Sequence, residues 1–248
     1  MSNETKDSGS TDHDTPEAPH APNPNRRIFL GGMATGGVAG GLAAGLGVWN
    51  ARKDAAPIKK DTATNPRLFT FVGGKAGAWS VVDVKPVVGD LLPVTERLDI
   101  INGSIPALPD GAKWILRGAT SNERYATRAE KDLLVAKQAN LGRPEANHAA
   151  LIPIRKNAKW WSLTQDERRA IFEDRSHHVK TGLKYLPAVA RRLHHCRDLT
   201  SIEPFDFLTW FEFAEEHTAA FNSLLTRLRS TEEWKYVERE VEVRVTKA

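Results

Sequence analysis

Residues 236–245, YVEREVEVRV, alternate apolar and charged side chains over ten positions. A period of two is of no use to a helix and suits an antiparallel strand with one face on a core and the other in water. FDFLTWFEF at 205–213 alternates in the same way, and RLFTFV at 67–72 and WSVVDVKPV at 79–87 are β-branched and aromatic runs separated by the turn residues GGKAG. KWILRGA at 113–119 and the shorter AALIPI at 149–154 read as two further strands. Between them, residues 123–139 place Tyr125, Ala129, Leu133, Leu134 and Ala136 at helical spacing, with Gly142 as a stop. Thr164-Gln-Asp-Glu167 has the capping-box pattern of a helix that should run toward His178. A break at Thr181-Gly182 then leads to a helix over 183–197, with Pro187 in its first turn or kinking it, and residues 214–228 form a last helix. Strands and helices thus recur in two β–α–β sets, approximately 67–150 and 151–248, and no Gly-rich phosphate loop follows any strand. This pattern predicts an α+β fold, a paired ferredoxin-like or α+β barrel, rather than a doubly wound sheet.

With 248 residues, 40% of them hydrophobic and 27% charged, the chain can bury a core of one large or two small domains. It is not a disordered, collagen-like or polytopic membrane sequence. The single cysteine, Cys196, excludes an intramolecular disulfide and any zinc site built on several thiolates, and reads as a small buried residue. A formal charge of +4, from 35 basic and 31 acidic residues, is too small and dispersed to argue for a nucleic-acid partner.

The first 25 residues contain no Val, Ile, Leu or aromatic side chain and have too little apolar surface to fold. Arg26-Arg27-Ile28-Phe29-Leu30 follows, then a Gly- and Ala-rich, weakly apolar stretch to Trp49 and a basic pair, Arg52-Lys53. Twin arginines feeding a Gly-diluted apolar run resemble a Tat export signal, so the Tat translocon is an expected transient partner and the periplasm the expected location. Cleavage near Ala51 or Ala56 would release the domain; an uncleaved signal would leave it tethered to the membrane, since the run is long enough to span. The expected organisation is therefore a leader over 1–56, a linker over 57–66 and a folded domain over 67–248.

Six histidines follow the leader: His148, His177, His178, His194, His195 and His217. Neither HExxH nor GxSxG accompanies them, which leaves zinc hydrolase and serine hydrolase chemistry unsupported. His177, His178, His194, His195 and an arginine pair sit between Trp160-Trp161 and the aromatic strand FDFLTWFEF, the profile of a flat apolar cofactor site with one imidazole ligand.

WWSLTQDERR at 160–169, IFEDRSHH at 171–178, LKYLPAVARRL at 183–193, FDFLTWFE at 205–212 and TEEWKYVERE at 231–240 resemble the chlorite dismutases. The resemblance continues upstream through Gly73-Gly74, GAWS at 77–80, LRG at 116–118, Arg124-Tyr125 and ALIPIRK at 150–156, and the short N-terminal half resembles the compact, typically dimeric branch rather than the pentameric one. The family implies haem b, a ferredoxin-like repeat fold, and conversion of the chlorite anion to chloride and dioxygen.

Carried over residue by residue, the resemblance makes His178 the proximal iron ligand and Glu233 the carboxylate that accepts its other N–H, making the imidazole a stronger donor. Glu232 is the neighbour that could stand in for Glu233, and His177, about 100° away on a helix, points elsewhere. Arg191 matches the distal arginine, a permanent cation able to hold chlorite and the chlorine oxide left after Cl–O cleavage; Arg192 is its competitor. Gln138 matches a glutamine that hydrogen-bonds this arginine, Lys156 a lysine near the haem propionates, and Trp160 and Trp161 a pair lining the cofactor and subunit contacts. Coproheme decarboxylases share the architecture and the proximal histidine, but many carry Gln where this chain has Arg191 and Tyr where it has Trp161. A haem peroxidase or a haem carrier would also use a single imidazole ligand, but a carrier has no need of a distal cation.

Overall fold

The computed structural model describes residues 65–248 apart from 106 and 121–123. The export signal read over 1–56, and nearly all of the linker, lie outside these residues.

Eight strands and five α-helices follow in the order β1 (Leu68–Gly74), β2 (Trp79–Val88), β3 (Arg97–Asn102), β4 (Trp114–Ala119), α1 (Arg128–Lys137), β5 (His148–Lys156), α2 (Ala158–Ser162), α3 (Gln165–Arg169), α4 (His178–Leu183), β6 (Ala190–His195), β7 (Phe207–Phe213), α5 (Thr218–Arg229) and β8 (Val237–Lys247). A π-helical turn, Ala170–Arg175, separates α3 from α4, and a 3₁₀ turn, Glu232–Tyr236, precedes β8. The strands close into an antiparallel barrel, β1-β3-β2-β8-β5-β7-β6-β4, with β4 returning to β1. Within each half the neighbours run fourth, first, third, second in chain order: β4-β1-β3-β2 and β8-β5-β7-β6. Since β5 begins at His148, the halves part just ahead of that residue.

Closure buries both faces of the second half's strands. Ala149, Leu151, Trp210, Val241, Val243 and Val245 point into the barrel with Phe71 and Leu98. Ala150, Ile152, Ile154, Phe211 and Phe213 point outward, under Phe221, Leu224, Leu225 and Leu228 of α5. Those four helix positions follow the i, i+3, i+4, i+7 spacing of one apolar stripe.

Several sequence expectations change. The segment read as a helix over 183–197 is instead the end of α4, an irregular stretch containing Pro187, and strand β6. Polar side chains occupy both of its faces, so β6 has no apolar–polar alternation to betray it. Strand β3 was not foreseen. The helix expected over 123–139 is confined to Arg128–Lys137 and buries no residue, while Tyr125 precedes it with φ +62. The helix capped by Thr164, whose N–H donates to Glu167 Oε2 (2.8 Å), does not run unbroken to His178: it passes into the π turn and ends at His177, which adopts left-handed φ/ψ of 51 and 41. β8 is not half-solvated either, because Glu240 and Glu242 are fully buried. Arg229 of α5 and Arg244 neutralise them, at 2.6 Å from Arg229 to Glu240, 2.7 Å from Arg229 to Glu242 and 2.6 Å from Arg244 to Glu242.

Candidate functional site

Between the outer face of β5, β7 and β6 and the helices α2 to α5 lies a pocket of about 940 Å³, part of it open to solvent. Its walls are mostly apolar, from Ile152, Ile154, Phe207, Phe211, Leu224 and Leu228, and a few polar side chains converge on it. Such a lining is the usual character of a small-molecule or cofactor site.

On one side stands His178, the first residue of α4. The left-handed His177 turns the chain sharply there, and the buried Glu173 carboxylate accepts the first-turn N–H groups of Val179 (2.6 Å) and Lys180 (3.2 Å). A carboxylate in that place satisfies donors the helix leaves open and complements its dipole. The His178 ring stacks on Phe172, with centroids 4.2 Å apart, and its Nδ1 lies 2.8 Å from Glu233 Oε2. An ionised carboxylate can only accept, so Nδ1 carries a proton, and in the neutral imidazole Nε2, on the opposite edge of the ring, keeps its lone pair. Burial pushes the Glu233 carboxyl up, but the Lys156 ammonium at 2.8 Å and His178 outweigh it and hold the group down at about 2. The Glu233 backbone N–H donates to Ser176 Oγ at 3.0 Å.

Lys156 thus has a different place from the one expected. It is 4% exposed, bonded to Glu233, and boxed by the rings of Trp160 (4.7 Å) and Trp234 (5.4 Å). Its charge is committed to Glu233 rather than to a cofactor's carboxylates. Glu232, the substitute for Glu233, pairs instead with Arg175, 3.4 Å away near the surface.

The pleat of β6 separates the two candidate arginines. Arg191, Leu193 and His195 face the pocket; Arg192 and His194 face the barrel, where Arg192 lies 4.5 Å over Phe69 and His194 Nδ1 bonds the Leu208 carbonyl at 3.0 Å. Arg191 has no hydrogen bond or ion pair among the described residues, and burial pulls its guanidinium down to about 10, still cationic at neutral pH. It lies against Gly182 of α4: a Cβ built there would come within 2.6 Å of Nη1 and 2.7 Å of Nη2. An unpaired cation in an apolar wall is costly unless an anion joins it.

Trp160 lines the pocket, but Trp161 does not; its ring stands between Arg168 (5.1 Å) and Arg197 (4.1 Å), and its Nε1–H donates to Asp206 Oδ2 at 3.2 Å. Gln138 is also absent from the lining, and its amide donates to the Ala139 carbonyl at 3.0 Å. Sequence reasoning missed Tyr125, Phe172, His195 and Trp234 as pocket residues. His195 could have been found only by reading β6 as a strand, where it falls on the Arg191 face. Among the described residues, Tyr125 Oη, Trp160 Nε1 and His195 Nδ1 are buried without partners. An apolar slot lined by an imidazole whose other nitrogen is held by a buried carboxylate, with a cationic guanidinium in the same pocket, fits a flat, iron-bearing macrocycle such as haem.

The chlorite dismutase family model matches residues 112–248. A dimeric chlorite dismutase from Nitrobacter winogradskyi is 56% identical, over 72% of this chain and 99% of that one, with a TM-score of 0.67. The chlorite dismutase of Ideonella dechloratans is 38% identical over 88 residues, 36% of this chain, so the match spans 28% of that relative's length. A chlorite dismutase variant from Candidatus Nitrospira defluvii, 19% identical over 73% of this chain and 90% of that one, is alike in fold, with a TM-score of 0.54.

Proposed function

This chain belongs to the chlorite dismutase family, and from that premise we propose that it binds haem b through His178 and converts chlorite to chloride and dioxygen. The observation that carries this reading is the half-buried guanidinium of Arg191, without a hydrogen bond or ion pair among the described residues, in the same apolar pocket as an imidazole backed by a buried carboxylate. Haem iron, when bound, supplies reversible two-electron chemistry for moving an oxygen atom off chlorite and back. The overall balance, ClO₂⁻ giving Cl⁻ and O₂, needs no external reductant or proton.

The residues have separable tasks. His178 offers Nε2 as the ligand atom. Glu233, kept ionised by Lys156, draws on the Nδ1–H and makes the imidazole a stronger electron donor. Arg191 attracts chlorite and then retains the hypochlorite fragment by charge until the O–O bond forms. The apolar walls of the pocket, Ile152, Ile154, Phe207 and Phe211 among them, keep bulk water from carrying that fragment away. Gln138, whose amide donates to the Ala139 carbonyl, is the residue the family resemblance pairs with Arg191.

We also infer that the two halves are a ferredoxin-like repeat pair, supported by their recurring strand order, and that the protein works as a homodimer, supported by the dimeric Nitrobacter winogradskyi relative. The twin arginines at 26 and 27 support Tat export to the periplasm.

Oxygen-electrode measurements on purified haem-loaded protein test the activity: one O₂ released per chlorite is expected, and a normal haem spectrum without O₂ overturns it. His178→Ala should abolish haem retention; full occupancy in that variant removes His178 as the ligand.

A further inference from the structure

Glu240 of β8 is fully buried, and each of its oxygens is engaged. Oε1 accepts from Arg229 Nε (2.9 Å) and Nη2 (2.6 Å); Oε2 accepts from the indole Nε1–H of Trp234 at 2.7 Å. Trp234 directly follows Glu233 in the turn Glu232–Tyr236. That turn is therefore anchored by adjacent side chains: Glu233 to Lys156 and His178, Trp234 to Glu240. The Trp234 ring is also one wall of the box around the Lys156 ammonium.

The geometry points to Arg229–Glu240–Trp234 as a brace that sets the position of the Glu233 carboxylate against His178 Nδ1–H, with Trp234 and Glu240 as positioning residues for the proximal ligand. This rests on the reading of His178 as the iron ligand. Packing alone has no use for a carboxylate at this point, because burying an ion costs several kcal/mol before its partners recover it, and an apolar side chain of similar volume packs more cheaply. What the ion pair adds is direction: Arg229, at the end of α5 and held also by Glu242, fixes Glu240, and a charged acceptor fixes the indole plane. Site geometry needs support of this kind, since a ligand's partner displaced by a fraction of an ångström loses much of its effect.

The test uses the full chain with three substitutions. Trp234→Phe keeps the ring and removes the N–H; Glu240→Gln keeps an acceptor for the indole and removes the charge; Phe221→Leu lightens the buried core under α5 without touching the brace. In haem-free protein, ¹⁵N resonances report the His178 tautomer; in haem-loaded protein, the Fe(III)/Fe(II) midpoint potential reports the strength of the proximal donor. With Trp234→Phe, His178 should change from one Nδ1–H tautomer to a mixture, and the potential should shift upward. Glu240→Gln should fall between Trp234→Phe and the unaltered protein, and Phe221→Leu should lower stability while moving neither readout. The brace is overturned if Trp234→Phe leaves both readouts in place, or shifts them no further than Phe221→Leu at equal loss of stability. Failure of the unaltered chain to bind haem would refute the haem reading alone, and the tautomer measurement would still decide the brace.

Discussion

Removing the ammonium from the Lys156–Glu233 pair should destabilise the protein in a way that reverses its pH dependence. Both side chains are buried, with Nζ 2.8 Å from Oε1, so Lys156→Met leaves a carboxylate with only His178 beside it. Breaking a buried pair by deleting one partner costs about 3–5 kcal/mol. The variant can limit the loss by protonating the Glu233 carboxyl itself. At pH 7, protonating a carboxyl of ordinary pKa 4.5 costs about 3.4 kcal/mol, at about 1.36 kcal/mol per pH unit, which sets the scale of the loss near 3 kcal/mol. In the unaltered protein Glu233 is depressed from 4.5 to about 2, so its contribution, about 3 kcal/mol, is complete above pH 4.5 and disappears as pH falls toward 2. In the variant the folded state binds the proton more tightly than the unfolded chain, so stability rises as pH falls from 7 to 5. Urea unfolding at pH 7 and pH 5, at matched haem loading, reads both. A loss below about 1 kcal/mol at pH 7, or one that does not shrink at pH 5, refutes the reasoning.

Arg191→Ala should retain haem but weaken chlorite binding by about 10- to 100-fold, the worth of a charged hydrogen bond of roughly 1.5–3 kcal/mol, and should bleach faster as hypochlorite escapes. KM together with trapped hypochlorite checks this. Gly182→Ala, which puts a methyl group within 2.6 Å of Arg191 Nη1, should preserve or slightly raise thermal stability through helix propensity while lowering kcat/KM for chlorite about tenfold; unchanged kinetics would mean that Arg191 does not act from this position. Replacing Arg26 and Arg27 by Lys should leave precursor in the cytoplasm, read by fractionation and immunoblotting.

Long strands with one face apolar and the other polar or aromatic, such as β7, were legible, whereas the six-residue β3 was not. β6 was not, because its polar residues serve two different interiors: Arg191 and His195 the pocket, Arg192 and His194 the barrel. Charge on β8 suggested water, yet the solvating groups for Glu240 and Glu242 are arginines, one of them on α5. His178, Glu233 and Arg191 were found through the family's motifs rather than by spacing, and the structure brings all three to one pocket. Lys156 went astray for a related reason. Its partner is 77 residues away, and no local pattern distinguishes a lysine that meets a cofactor's carboxylate from one that meets the protein's own.

In the proposed reaction chlorite's two oxygen atoms leave together because Arg191 retains the chlorine oxide until the O–O bond is made. Mass spectrometry of the gas evolved from unlabelled chlorite by the haem-loaded protein in H₂¹⁸O tests it most directly. Unlabelled dioxygen at one per chlorite is expected; absence of dioxygen, or incorporation of ¹⁸O from water during turnover, would show that the fragment escapes before the O–O bond forms.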